Sequence, residues 1–138
     1  MSQHKVILLL GSNLGDQKKN LDTALDKIKE GGHEILNISE FLTSEPVEFV
    51  SSNIFCNIAV IISTRRSPIQ LLDFVKSIES EMGRITDSRA SGAYSDRIID
   101  IDIVMFNELK FLSERLEIPH QKNLYERDFS RILLKAFI

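Results

Sequence analysis

Cysteine is almost absent from this chain: Cys56 stands alone, so no intramolecular disulfide can form and a stapled secreted fold is excluded. Three Pro and six Gly among 138 residues rule out collagen-like and low-complexity architectures. Long apolar runs are missing too. The stretch from Val6 to Leu10 is five residues, far short of the roughly 18 to 20 a membrane helix needs and too short for a signal-peptide core. What the chain does have is 43% hydrophobic residues, enough to exclude intrinsic disorder. Its length is one at which a single domain buries about two-thirds of its unfolded surface. The expectation is one soluble, cytoplasmic domain over residues 1–138, with no membrane segment and no obligatory protein partner.

Seventeen Lys and Arg against 20 Asp and Glu leave a net charge of −3, which argues against a broad surface for a long polyanion such as nucleic acid. The two cation types are sorted along the chain. Six of the eight arginines (Arg84, Arg89, Arg97, Arg115, Arg127 and Arg131) fall between residues 84 and 131, and seven of the nine lysines fall outside that window. Nine Asp and Glu share it. Because the guanidinium fork grips phosphate or carboxylate in two places, such a mixed window suits a small anion held together with a metal.

Residues 5–10 read as a buried strand ending at Gly11, and Leu14, Leu21, Leu25 and Ile28 mark an amphipathic helix over about 16–30, closed by Gly31 and Gly32. Residues 34–44 read as a second strand with imperfect alternation, and 54–64 as a strand apolar on both faces. Ser67, Pro68 and Gln70 form a capping-box signature. Leu71, Val75, Ile78 and Met82 then step along one helix face as far as Gly83. Residues 84–97 are an aperiodic loop, 98–106 a fourth strand, and a C-terminal extension follows. This β-α-β-β-α-β order predicts an α+β, ferredoxin-like sandwich, its helices packed on one face of an antiparallel sheet.

Asp100 and Asp102 are the sharpest chemical signal. Two apart in a strand, they share a face with Cα atoms about 6 to 7 Å apart. Ile98, Val104 and Phe106 are expected beside them, and Ile99, Ile101, Ile103 and Met105 opposite. Two carboxylates among apolar neighbours repel unless a cation sits between them, and hard oxygen ligands at that separation suit Mg²⁺; two solvated Asp at a strand end are the plainer alternative. Asn57 interrupts an apolar strand face, either as an edge reader for a planar heterocycle beside Phe55 or as an amide satisfied by backbone. His120 has no second His or Cys at ligand spacing, which argues against zinc. GSNLG lacks the Gly-Lys-Ser/Thr ending of a phosphate loop and reads as a strand-to-helix turn. Cys56 reads as an inert packing residue.

Taken in order, GSNLGD, SEPV, FCN, IESEMGR, DRIIDIDIV, IPH and ERDF resemble the 6-hydroxymethyl-7,8-dihydropterin pyrophosphokinases of folate biosynthesis, over about residues 5–134. The resemblance implies transfer of pyrophosphate from ATP to the pterin hydroxymethyl group with release of AMP. By that similarity Asp100 and Asp102 hold two Mg²⁺ ions, and Arg84 and Arg97 grip the phosphates beside them. Glu79, Ile103, Arg115, His120 and Arg127 match positions around ATP. Gly11, Ser44, Val47, Phe55, Asn57 and Phe129 match the pterin pocket, the two Phe sandwiching the ring. Both partners implied are small molecules, ATP and the pterin.

The chain departs from the family pattern in places. Phe55 stands where Tyr is common, Thr86 replaces a loop arginine for which Arg89 can substitute, and Tyr94 stands for Trp. Glu117 replaces a small polar residue, one extra residue lies between His120 and Arg127, and the C-terminus is shorter than usual. These departures leave one alternative, a non-catalytic pterin- or nucleotide-binding relative. An RNA-binding module on the same fold order lacks the basic, aromatic-rich strand it would need.

Overall fold

The computed structural model describes residues 3–44, 55–83 and 98–120, with the side chains of Ser44 and Phe55 outside that description. Its centre is β1 (His4–Ser12), flanked by β4 (Phe55–Thr64) on one side and β5 (Asp100–Phe106) on the other. β2 (Glu34–Ile38) and β3 (Leu42–Ser44) share the far edge of β4. The order is β2-β4-β1-β5 and every pairing is antiparallel. The predicted strand at 34–44 is therefore two strands. Between them Ser39 donates its N–H to Ala59 O at 2.8 Å and receives the Ala59 N–H on its Oγ at 2.8 Å, so a side chain takes over one rung and the chain re-enters pairing at Leu42. A hairpin of β6 (Phe111–Leu112) and β7 (Glu117–Ile118) occupies part of the stretch read as an extension.

α1 (Gln17–Glu30) starts at the N-cap Asp16, whose carboxylate accepts the Lys19 N–H, and buries Leu21, Ala24, Leu25 and Ile28. Leu14, counted in its stripe from the sequence, precedes the helix. α2 (Pro68–Glu81) carries the expected capping box: Ser67 Oγ accepts from Gln70 N and Gln70 Oε1 accepts from Ser67 N. Both helices lie on one face of the sheet, against Val6, Leu8 and Leu10 of β1, Ile58, Val60 and Ile62 of β4, and Ile101, Ile103 and Phe106 of β5. Ile7, Leu9, Ala59, Ile61 and Val104 form a smaller buried cluster on the opposite face, with Leu42 and Met105 against it. Among the described residues no helix is long and apolar enough to cross a membrane.

One break in alternation corrects the sequence reading. Leu8 pairs with Ile103 but Ile7 pairs with Met105, so Val104 is an extra residue bulged out of the ladder. From there on the faces exchange: Met105 joins the Asp face, and Phe106 turns into the helix-side core, 3% exposed.

The helix ends are tied together away from β5. Past Gly31, buried His33 lies 3.0 Å by Nδ1 from Ile28 O, and its ring sits 4.8 Å from that of Phe74. The Arg66 guanidinium covers the same Phe74 ring at 4.5 Å and donates to Gly31 O at 3.2 Å. The ring fills the space a side chain at residue 31 would need, since a Cβ there would meet Phe74 Cζ at 2.2 Å. Burial, and secondarily the Arg66 charge, push the His33 pKa below its ordinary 6.5, against the opposing effect of the Ile28 carbonyl. The unfolded chain therefore takes up the proton first, and stability falls as pH drops below about 6.5 until the folded-state pKa is reached. Denaturation midpoints between pH 7.5 and 5.5 should fall more steeply for the wild type than for His33→Gln.

Candidate active site

Because β1 is paired on both sides, its register fixes which residues share a row. Gly11 faces Asn57 of β4 on one side and Asp100 of β5 on the other, and Leu42 of β3 pairs with Asn57. Leu9 faces Ala59 and Asp102 in the next row. Strands lie about 4.8 Å apart, so Asn57 and Asp100 stand about 10 Å apart at Cα, with Gly11 between them in the row. All these residues are on the face away from the helices. Asp100 and Asp102 are half-buried, alternating with buried Ile101 and Ile103. Their face is walled by the Leu9, Ala59 and Val104 cluster, so the apolar surroundings expected from the sequence are present.

Asn57 is 3% exposed and donates from Nδ2 to Leu42 O at 3.1 Å. The backbone contact and the site position are thus compatible: β3 fixes the plane of the carboxamide at the end of the row. The GSNLG turn closes that end of β1. Ser12 and Asn13 are buried (0% and 1% exposed), and Asn20 on α1 donates to Ser12 Oγ at 3.1 Å and Leu14 O at 2.8 Å. Gly15 supplies the left-handed step at φ 65°. Sequence reasoning missed Asn20; its only trace was a carboxamide one turn into a helix just after a turn that needs donors. Cys56 pairs with Ser12 in the helix-side core, and burial pushes its thiol pKa up, against the weaker pull of Lys18, which fits an inert residue.

The outer edge of β5 gathers a second group. Glu79 of α2, 2% exposed, accepts the Ile101 N–H at 2.8 Å and pairs with Lys76 Nζ at 3.2 Å. His120 donates its N–H to Val104 O at 2.9 Å. Arg115, at the β6-β7 hairpin, pairs with Asp73 of α2 at 2.5 Å. Peptide groups alternate sides along an antiparallel strand, so the outward Ile101 N–H places the Asp100 and Asp102 peptides toward β1 and that of Ile103 outward. The Ile103 side chain is in the helix-side core. Backbone alone is described for Ser44 and Phe55, which pair with each other. Val47, Arg84, Arg97, Arg127 and Phe129 lie outside the described residues, as do the departures at Thr86 and Tyr94.

Two half-buried carboxylates form a hard-oxygen donor pair suited to Mg²⁺, which commonly completes its shell with water and substrate phosphates. Among the described residues no group of three or more His, Cys, Asp or Glu could hold a metal, so a closed all-protein cage is not what these residues build. A cavity of about 900 Å³ lies elsewhere, at the other end of β1, lined by Gln3, His33, Arg66, Asp73 and Phe74 among others.

The family model of 7,8-dihydro-6-hydroxymethylpterin-pyrophosphokinase (HPPK) matches residues 7–137. The chain belongs to this family. It is 38% identical over 130 residues to the 2-amino-4-hydroxy-6-hydroxymethyldihydropteridine pyrophosphokinase of Porphyromonas gingivalis, covering 94% of this chain and 87% of that one. The Bacillus subtilis protein of the same name is 32% identical, with 88% and 71% covered. A folic acid synthesis protein of Schizosaccharomyces pombe is 40% identical over 123 residues, which are 88% of this chain but 16% of that one. Among solved structures, an HPPK-DHPS in complex with substrates shares the fold at TM-score 0.67 and 16% identity, with 99% of this chain and 40% of that one covered.

Asn20→Ala removes both side-chain bonds to the turn. It should cost about 1–3 kcal/mol in urea unfolding and raise amide exchange at Ser12 and Asn13; unchanged exchange there would show that the turn holds without it.

Proposed function

We propose that this chain transfers the β,γ-pyrophosphoryl group of ATP to the hydroxymethyl oxygen of 6-hydroxymethyl-7,8-dihydropterin, giving AMP and the pterin diphosphate in folate biosynthesis. The observation that carries the reading is the Asn57–Gly11–Asp100 row with Asp102 beside it, in a chain matched along nearly its whole length by the pyrophosphokinase family. The strand order fits the ferredoxin-like arrangement, and residues 1–138 read as one domain.

On this reading the work divides between two groups of residues. Asn57, fixed by Leu42 O, meets the pterin edge, and Gly11 lets the ring lie against main chain. By the family resemblance Phe55 and Phe129 would stack on its faces, with Ser44 and Val47 at its border. The outer edge of β5 takes the nucleotide: Ile103 by its peptide group, His120 and Arg115 from the hairpin side; by the family resemblance Arg84, Arg97 and Arg127 would grip the phosphates. Asp100 and Asp102 stand between the two halves, where the hydroxyl oxygen must reach the β-phosphorus in line as the bond to the α-phosphate oxygen breaks. Two Mg²⁺ ions, held there by the carboxylates, would neutralise phosphate charge and lower the pKa of the attacking hydroxyl. The chain's own contribution is positioning, which needs residues on a rigid sheet, and charge placement, which needs them partly desolvated.

The test is AMP release from ATP with authentic 6-hydroxymethyl-7,8-dihydropterin. AMP should form only with Mg²⁺ and pterin together, and Asp102→Ala should lower turnover by about 10²–10³-fold or more with the far-ultraviolet circular dichroism unchanged. Binding of pterin or ATP without AMP release at high enzyme concentration would mark a non-catalytic relative instead.

A further inference from the structure

Glu79 is the only charged side chain in the buried set of the described residues, at 2% exposed. A carboxylate placed there costs several kcal/mol unless its oxygens are engaged. One oxygen is 3.2 Å from Lys76 Nζ, and the other takes the Ile101 N–H at 2.8 Å. That second bond crosses from α2 to the residue lying between Asp100 and Asp102. Among the described residues no strand pairs with β5 on the side away from β1, and the outward Ile101 N–H is received there by Glu79. The inward peptides of Asp100 and Asp102 are held by Gly11 and Leu9 of β1. The segment carrying both carboxylates is thus pinned from both sides within three residues, and the bulge at Val104 follows two residues after Asp102.

We propose that Glu79 is a positioning residue: by capping the Ile101 N–H it fixes the pitch and twist of β5 so that Asp100 and Asp102 can hold a divalent cation together. The proposal rests on the reading of those two residues as cation ligands. Groups that orient metal ligands commonly contribute about 10–100-fold in metal affinity. Here the orienting bond is made to main chain, so it acts on both ligands at once.

The test uses Mn²⁺ alone as probe, its binding followed by electron paramagnetic resonance of the free ion, together with amide exchange at Ile101. Glu79→Ala should weaken Mn²⁺ binding about 10–100-fold and speed Ile101 exchange at least about 10-fold. Glu79→Gln should retain both, since its carbonyl oxygen can accept the same bond. Glu79→Met, of similar volume without a strong acceptor, serves if the alanine variant does not fold. Val75→Ala, a cavity on the same helix, should lower the melting temperature yet leave Mn²⁺ affinity unchanged. Three results overturn the proposal: Glu79→Ala with wild-type affinity and exchange, Glu79→Gln as defective as Glu79→Ala, or Val75→Ala losing affinity equally. Asp102→Asn separates the two readings. It should lose Mn²⁺ while Ile101 exchange stays slow; wild-type Mn²⁺ binding in that variant refutes the ligand assignment itself and, with it, the role given to Glu79.

Discussion

A strand cannot bury one residue without turning the next one to the other face, and the whole site depends on that constraint. Ile99, Ile101 and Ile103 are all essentially inaccessible, packed beneath the helices. Each buried side chain of that size contributes about 1.5–3 kcal/mol, and a one-residue slip of β5 would expose all three while pushing two carboxylates into the core. The apolar layer is therefore what sets Asp100 and Asp102 side by side on the face away from the helices. β1 transmits the same constraint to β4, so Asn57 is brought into the row of Gly11 and Asp100 by the burial of Ile58 and Val60 on the other side.

Much of this was legible in the sequence because it rests on local patterns. The Ser67-Pro68-Gln70 cap, the α2 stripe, the Asp100/Asp102 alternation and the odd polarity of Asn57 each depend on residues a few positions apart. The family resemblance added an order of motifs that periodicity could not supply. What the sequence hid was set by partners far along the chain. The Val104 bulge leaves no local mark, since IVMF is as good a regular strand as a bulged one. Only the pairing with Ile7 and Leu8 shows that Met105 and Phe106 have exchanged faces. Likewise Ser39 interrupts a strand only because its hydroxyl finds Ala59, 20 residues away.

The bulge also has a place in the site's construction. A regular continuation would put Phe106 on the Asp face and Met105 beneath the helices. The extra residue instead gives the core the larger aromatic, whose ring also meets His4 at 5.0 Å, and leaves the Asp100 and Asp102 face with the more adaptable thioether. The same step turns Val104 O outward to receive the His120 N–H, which anchors the hairpin end beside the outer edge of β5. One inserted residue thus serves packing on one face and attachment on the edge.

Separating the two faces has a consequence for how substitutions act. Changes among the helix-side residues reach the carboxylates through the position of β5, because those residues pack on the opposite face of the sheet. Most core substitutions should then change stability without changing the relative placement of Asp100 and Asp102, since the ladder to β1 moves both together. Glu79 is different in kind: its bond enters the strand between the two acids, so its loss frees a segment that the rest of the core does not hold on that side. A buried charge serves at such a point because a neutral hydrophobic contact could fill the volume but could not receive the peptide N–H.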